Sequence, residues 1–207
     1  MENALIIFVR NLEKGKVKQR LAESIGEEKS LEVYKYLLQY TKEVTIPCKY
    51  NLFVFYSHYI HIGDVFDDHV FSKHLQEGND LGERMMNAFK KVFDLGCKNI
   101  GIIGSDCYEL KTEILQDAFD KLHTSDMVIG PSADGGYYFM GMKKLYPNLF
   151  INKDWGTSTV FDDTIEAINK LGLTVRELPQ LNDIDTADDL LETDILTKIQ
   201  EENNEEL

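Results

Sequence analysis

The chain has 207 residues, of which 43% are hydrophobic, so it is long enough to bury the core of one globular domain. Its 22 basic and 36 acidic side chains give a formal net charge of −14. This balance argues against a DNA- or RNA-binding protein, because such proteins neutralise phosphates with Lys and Arg.

The amino terminus and the cysteines predict a cytoplasmic protein. The first residues have neither the basic leader nor the cleavage site of a signal peptide, and no apolar stretch has the length of a membrane span. Cys48, Cys97 and Cys107 form no C-x-x-C pair, which favours reduced thiols over a disulfide framework or a zinc site. The histidines are scattered, so we expect no histidine-based metal site.

The predicted elements alternate between strands and helices. Apolar runs predict strands, and apolar residues at three- and four-residue spacing predict helices. In chain order they are strand Ala4–Val9, helix Glu27–Val44, strand Asn51–Tyr56, helix Leu81–Leu95, strand Asn99–Gly104, helix Ile114–Leu122, strands Asp126–Gly130 and Gly136–Met142, helix Thr159–Leu171, strand Leu173–Leu178 and helix Thr186–Gln200.

This alternation predicts a single α/β domain with a mostly parallel mixed sheet flanked by helices. The domain is expected to span residues 1–200, and the acidic residues 201–207 are expected to form a frayed tail. Ligands of such sheets bind beyond the carboxyl ends of the strands, so the residues that follow the apolar runs are the candidates for function.

A basic segment follows the first strand. Lys14, Lys16, Lys18 and Arg20 lie within seven positions, together with Gly15. Glycine lets the backbone approach an anion and basic side chains neutralise it, as in a phosphate-binding loop. A solvated turn explains the same residues, and both interpretations stay open. The P-loop pattern G-x-x-x-x-G-K-[ST] is absent, which argues against a hydrolase of that class.

Two further segments place carboxylates after predicted strands. Asp106 follows an apolar run, where it either caps the next helix or holds a magnesium ion together with substrate phosphates. Capping also explains most of the carboxylates around the last helix start. It does not explain the alternation of Asp183 and Asp185 just before that start, where like charges repel each other unless a cation lies near.

The motif Asp134-Gly135-Gly136 has two interpretations. It is either a plain tight turn or a place where a sugar or ribose lies against bare backbone, with its hydroxyls bonded to Asp134.

Two other loops contain candidate ligand contacts. Gln76 and Gly78 precede a helix, and the glutamine is suited to contact a base or sugar edge. The only tryptophan, Trp155, is a lid, a stacking platform for an acceptor, or a core anchor.

Six segments in this order resemble a bacterial glycosyltransferase-like family, associated with radical-SAM and selenium-related genes, in the nucleotide-diphospho-sugar-transferase (GT-A-like) superfamily. The segments are Gly15–Leu21, Gln76–Met85, Gly104–Leu110, Gly130–Tyr138, Trp155–Thr157 and Asp183–Leu190. The resemblance implies a Rossmann-like GT-A domain in which Mg²⁺ or Mn²⁺ bridges the phosphates of a bound nucleotide.

The resemblance and the motifs described above together suggest roles for single residues. Asp106 would be the principal metal ligand and Asp185 the second, with Asp183 a further candidate. The catalytic candidates are Asp106, Lys18 and Asp134, and the last would position or deprotonate an acceptor hydroxyl. The nucleotide-binding candidates are Lys14, Gly15, Lys16, Lys18, Arg20, Gln76, Gly78, Gly135 and Gly136.

The expected function is a metal-dependent transferase that uses a nucleotide sugar or a nucleoside triphosphate. Glycosyl transfer is favoured because the basic loop is less glycine-rich than in nucleotidyltransferases, which form the alternative. A catalytically silent nucleotide-binding module is a third hypothesis. It is kept because Gln19 and Tyr108, at the mouth of the expected site, replace the Thr and Pro usual in the family. A flavodoxin-like or NAD-binding domain is disfavoured because G-x-G-x-x-G is absent after the first strand. The oligomeric state does not follow from the sequence.

Overall fold

The structure, a computed structural model, describes residues 2–205. Its strands are β1 (Asn3–Val9), β2 (Asn51–Tyr56), β3 (Phe71–Leu75), β4 (Asn99–Ile103), β5 (Met127–Pro131), β6 (Tyr137–Met142) and β7 (Val175–Glu177). Its α-helices are α1 (Gln19–Ile25), α2 (Glu27–Thr45), α3 (Leu81–Asp94), α4 (Thr112–Thr124), α5 (Val160–Lys170), α6 (Ala187–Leu191) and α7 (Ile195–Glu205).

The strands form one sheet in the order β3-β2-β1-β4-β6-β5-β7. Every neighbouring pair is parallel except those of β6, which runs antiparallel to both β4 and β5. The prediction of one α/β domain with a mostly parallel mixed sheet is therefore confirmed. The strands β2 and β3 lie on one side of β1, and β4 lies on its other side, so the strand order reverses between β1 and β4. The connections after these two strands run in opposite directions and leave a crevice at their carboxyl ends.

Helices cover both faces of the sheet, which explains the continuous apolar runs of the central strands. One face packs with α2 and α4, through residues such as Leu38 and Phe119. The other face packs with α3 and α5, through residues such as Phe89 and Ile168. A smaller apolar cluster joins α1, α2, α6 and α7 beside the sheet.

Several boundaries differ from the predicted ones. The strand β3 and the helix α1 were not predicted, because β3 is a largely polar edge strand and α1 has only 7 residues. The predicted final helix is two helices, and Thr186 caps the first with a side-chain bond from the Asp189 amide. Helix α7 continues to Glu205, so residues 201–205 of the predicted tail are helical, and residues 206–207 lie outside the described residues.

None of the helices within residues 2–205 has both the length and the apolar character needed to cross a bilayer.

Candidate active site

A cleft of about 730 Å³ lies at the carboxyl ends of β1 and β4. Its walls come mainly from the β1–α1, β2–β3, β3–α3 and β4–α4 connections and from the loop before α6. Five cationic side chains line it, namely Arg10, Lys16, Lys18, Arg20 and Arg84, against four carboxylates. In a chain with a net charge of −14, a lining in which cations outnumber carboxylates suits a negatively charged ligand.

Lys18 lies at the centre of this cleft. Its side chain is only 6% exposed, and its Nζ lies 2.8 Å from Asp106 Oδ2 and 3.7 Å from Asp185 Oδ1. Its backbone is left-handed, with φ 46°, which is uncommon for a residue other than glycine. The Ser30 hydroxyl donates a hydrogen bond to the Lys18 carbonyl at 3.1 Å and helps to hold this conformation. The strained backbone thus directs a buried ammonium between two carboxylates from distant connections.

Arg20 extends the same network toward solvent. Its Nη1 lies 2.8 Å from Asp185 Oδ2, and its side chain is 71% exposed. Asp185 therefore has two cationic neighbours, one buried and one exposed. Arg20 belongs to the first turn of α1 and Asp185 to the loop before α6, so the ion pair also joins these two segments.

The other basic-loop candidates lie further out. Lys16 lines the cleft but is exposed and pairs with Glu13. Lys14 pairs with Glu28 on the surface and does not line the cleft. Gly15 does not line it either, and its φ of 75° serves the turn that leads to Lys18.

The charges of Lys18 and Asp106 stabilise each other. Burial alone lowers the pKa of Lys18, but the charge and hydrogen bond of Asp106 outweigh it and raise the pKa. Burial alone raises the pKa of Asp106, but the opposing effect of Lys18 is larger and lowers the pKa. Both groups are therefore charged at neutral pH.

Asp183 has a different environment. Burial, and next the charge of Asp106, raise its pKa to about 7. Its Oδ2 accepts a hydrogen bond from the neutral Ser132 hydroxyl at 2.9 Å. The backbone N–H of Ile184 donates to the Asp106 carbonyl at 2.9 Å and draws the two loops together. Asp183 is thus a half-buried carboxyl close to the negative charge of Asp106.

The three predicted metal ligands converge on the carboxyl ends of β1 and β4. Within residues 2–205, no group of three or more His, Cys, Asp or Glu side chains is arranged to hold a metal ion. Magnesium, however, usually takes one or two carboxylates together with substrate phosphates and water. The carboxylates of Asp106, Asp183 and Asp185 are hard oxygen donors of this kind. Burial is the main cause of the raised pKa of Asp183, and the second cause, repulsion by the charge of Asp106, is one that a divalent cation would relieve. The residues present therefore fit an ion that binds together with a nucleotide.

A second pocket of about 240 Å³ adjoins the cleft and shares Phe8, Leu81 and Gly104 with it. Asp134 and Asp183 contribute the charged groups of its lining.

The Asp134-Gly135-Gly136 motif belongs to this second pocket. Gly136 lines the pocket, and its amide donates to Asp134 Oδ1 at 2.9 Å. Gly135 lines neither the cleft nor the pocket, and a Cβ atom there would lie 2.1 Å from the Ser158 carbonyl oxygen. The motif is thus a tight turn, and its first glycine, Gly135, allows close packing of two backbones.

The β3–α3 connection contributes Gln76 and Arg84 to the cleft. The Gln76 side-chain amide donates to the Val9 and Phe55 carbonyls at 3.2 and 2.9 Å, which fixes it across the ends of β1 and β2. Gly78 does not line the cleft, but its carbonyl accepts a 3.1 Å bond from Arg84 Nε. Sequence reasoning did not select Arg84 as a site residue, although it lies within the Gln76–Met85 motif.

Sequence reasoning also missed Asn11 and Tyr34. Asn11 is buried, and its side chain bonds the backbone of His58 and Tyr59, so it holds the β2–β3 connection against the end of β1. The Tyr34 hydroxyl accepts a 2.8 Å bond from the Arg10 amide and lies 3.0 Å from Ser105 Oγ. Asn11 is an isolated polar residue after a strand, and Tyr34 lies in the periodic pattern of a helix, so neither has a local sequence signal.

The strand order reverses between β1 and β4, with a basic loop after β1 and carboxylates after β4. A crystal structure from Desulfovibrio desulfuricans G20, provisionally assigned as a nucleotide-diphospho-sugar transferase, is 33% identical with a TM-score of 0.84, covering 91% of this chain and 84% of that one. Residues 53–157 match the family described as "Uncharacterized protein conserved in bacteria (DUF2064)". This chain belongs to that family, which confirms the resemblance seen in the sequence.

More distant structures share the fold. The 4-diphosphocytidyl-2C-methyl-D-erythritol synthase of Anaerococcus prevotii DSM 20548 has a TM-score of 0.60 at 10% identity, covering 95% of this chain and 98% of that one. Rv0371c of Mycobacterium tuberculosis H37Rv, in complex with manganese, has a TM-score of 0.54 at 13% identity, covering 92% and 96%. Such low identities establish the fold alone. A comparison with curated protein sequences gives no significant match.

Proposed function

We propose that this protein is a divalent-metal-dependent transferase that uses a nucleotide sugar, with a nucleoside triphosphate as the alternative donor. The main support is the buried Lys18 ammonium, which lies 2.8 Å from Asp106 in a cleft lined by further cations. The 33% identical relative assigned as a nucleotide-diphospho-sugar transferase gives independent support.

The donor would bind with its phosphates against the β1–α1 connection. Lys16, Lys18 and Arg20 line the cleft and would neutralise the diphosphate. Arg10 and Arg84 add positive charge to the walls. These side chains would also stabilise the negative charge that develops on the leaving diphosphate. Removal of one such contact typically lowers the rate about 10²–10³-fold.

A divalent cation would be held by Asp106 with Asp185 or Asp183. When bound, it would supply further stabilisation of the negative charge on the leaving group. The manganese complex of Rv0371c shows a metal in that protein, which shares the fold of this chain.

In glycosyl transfer, the oxygen of an acceptor hydroxyl forms a bond to the anomeric carbon of the donor sugar. The bond from that carbon to the diphosphate oxygen breaks, and the electron pair leaves with the nucleoside diphosphate. The hydroxyl proton passes to a carboxylate, for which Asp134 is the proposed acceptor. In nucleotidyl transfer the same hydroxyl attacks the α-phosphorus and pyrophosphate leaves. We favour glycosyl transfer because the basic loop has a single glycine, Gly15, and is thus less glycine-rich than the loop of nucleotidyltransferases.

Thermal unfolding with a panel of nucleotides and nucleotide sugars, with and without Mg²⁺ or Mn²⁺, tests the proposal. A ligand at about one hundred times its dissociation constant should stabilise the protein by about 2.7 kcal/mol. Asp106→Asn should abolish the metal-dependent part, whereas Asp120→Asn, an exposed change on α4, should not. The absence of any shift with the wild type, or an unchanged shift with Asp106→Asn, would refute the site. Release of a nucleoside diphosphate or of pyrophosphate then distinguishes the two reactions.

A further inference from the structure

The smaller pocket beside the nucleotide cleft has the form of a site for a second substrate. Its volume is about 240 Å³. Pockets for drug-sized ligands begin at roughly 300 Å³, so this pocket suits a smaller molecule. Phe8, Leu81 and Gly104 line both cavities, so a molecule in the pocket would lie next to a donor in the cleft. Asp183 lines the pocket and Asp106 lines the cleft, which places the pocket beside the proposed transfer point.

The walls of the pocket are mainly apolar and aromatic. Met85, Tyr137, Trp155 and Val160 contribute to them. Trp155 packs closely against α3 at Gly82. A Cβ atom at that glycine would lie 2.5 Å from the indole Nε1. Such walls suit a ligand with an apolar face, which includes the C–H face of a sugar ring or an aryl group.

The two cavities differ in charge. The described residues that line the pocket include Asp134 and Asp183 but no Lys, Arg or His, whereas the lining of the cleft has five Lys and Arg side chains against four carboxylates. Two carboxylates accept hydrogen bonds from hydroxyls, but they repel a phosphate that no lining cation neutralises. A pocket of this charge would bind a hydroxyl compound more tightly than its phosphate ester.

We propose that this pocket is the acceptor site and selects an unphosphorylated hydroxyl compound with an apolar face. The inference rests on the proposed function, since it assigns the second substrate of the same transfer. Phosphorylated acceptors are disfavoured because the lining has two carboxylates and no Lys or Arg.

Trp155 offers a direct measurement, because it is the only tryptophan of the chain and it lines the pocket but not the cleft. The probes are phenyl glucoside and phenyl glucoside phosphate, which differ only in the phosphate group. Phenyl glucoside should change the tryptophan emission with saturation, and the phosphate should bind at least ten-fold more weakly. Thr157→Lys, which adds a cation to the pocket lining, should reduce this discrimination about ten-fold, whereas Gln116→Lys on α4 adds the same charge elsewhere and should preserve it.

Equal or tighter binding of the phosphate to the wild type would overturn the inference, as would the absence of a saturable response to phenyl glucoside. Nucleotide binding is measured separately by the thermal shift. A nucleotide shift without this discrimination refutes the acceptor assignment alone, and discrimination without any nucleotide shift refutes the proposed function.

Discussion

The ion pair between Lys18 and Asp106 should give a measurable coupling energy in the metal-free protein. At the observed 2.8 Å, two unit charges interact by about 6 kcal/mol at an effective dielectric constant of about 20, and by about 1.5 kcal/mol at about 80. The Lys18 side chain is 6% exposed but that of Asp106 is 40% exposed, so solvent screens the pair substantially. We therefore expect a coupling energy of about 2 kcal/mol.

The measurement is a double-mutant cycle of Lys18→Met, Asp106→Asn and the double variant, followed by urea unfolding in the presence of a chelator. Lys18→Met should be the more destabilising of the two single changes and should lower the free energy of unfolding by about 2–3 kcal/mol. The reason is that it leaves the Asp106 carboxylate beside Asp183 without its cation. In the double variant most of this loss should be recovered.

The pair Lys90–Asp94 provides a matched control. Its atoms are 3.0 Å apart, but both side chains are more than 60% exposed and four residues apart on α3. Its coupling should be about 0.3–0.5 kcal/mol. If the cycle at Lys18 gives a value no larger than this control, the ammonium does not bridge the two connections in solution, and the geometry on which the proposed function depends is wrong.

Three further changes test other parts of the structure. The pKa of Asp183 is raised to about 7, so the folded state binds its proton more tightly than the unfolded state, and the free energy of unfolding should fall between about pH 4 and pH 7, by at most about 4 kcal/mol. Asp183→Asn should remove this dependence in urea titrations, and an unchanged profile would contradict the assignment. Gly82→Ala places a Cβ 2.5 Å from Trp155 Nε1, and should cost about 1–3 kcal/mol and shift the tryptophan emission. Tyr108→Phe removes the 2.7 Å hydrogen bond to Asp194 and should cost about 0.5–1.5 kcal/mol in thermal unfolding; no loss would show that this bond is absent in solution.

The sequence was sufficient for the elements that are buried on both faces or strongly amphipathic. Ala4–Val9 and Asn99–Gly104 predict the central strands because a strand covered by helices on both sides needs an unbroken apolar run. The pattern around Met85 and Phe89 predicts α3 because only one face of that helix enters the core. The expectation that Asp106 and the basic loop lie at one edge of the sheet follows from these strands alone, since the carboxyl ends of parallel strands meet there.

The edge of the sheet and the short connecting helix needed the tertiary structure. The strand β3 carries polar residues at most positions, because only β2 pairs with it and part of its surface faces solvent. Helix α1 buries little beyond Leu21, so its sequence has no helical period long enough to detect.

The detailed site was also decided by the tertiary structure. Lys18 meets Asp106 across 88 positions and Arg20 meets Asp185 across 165, and no local pattern encodes such pairs. The sequence grouped Gly136 with the nucleotide-binding residues, whereas the fold assigns it to a separate pocket without cations. Residue types fix which charges are available, but only the packing of distant loops decides which charges face each other and which cavity they line.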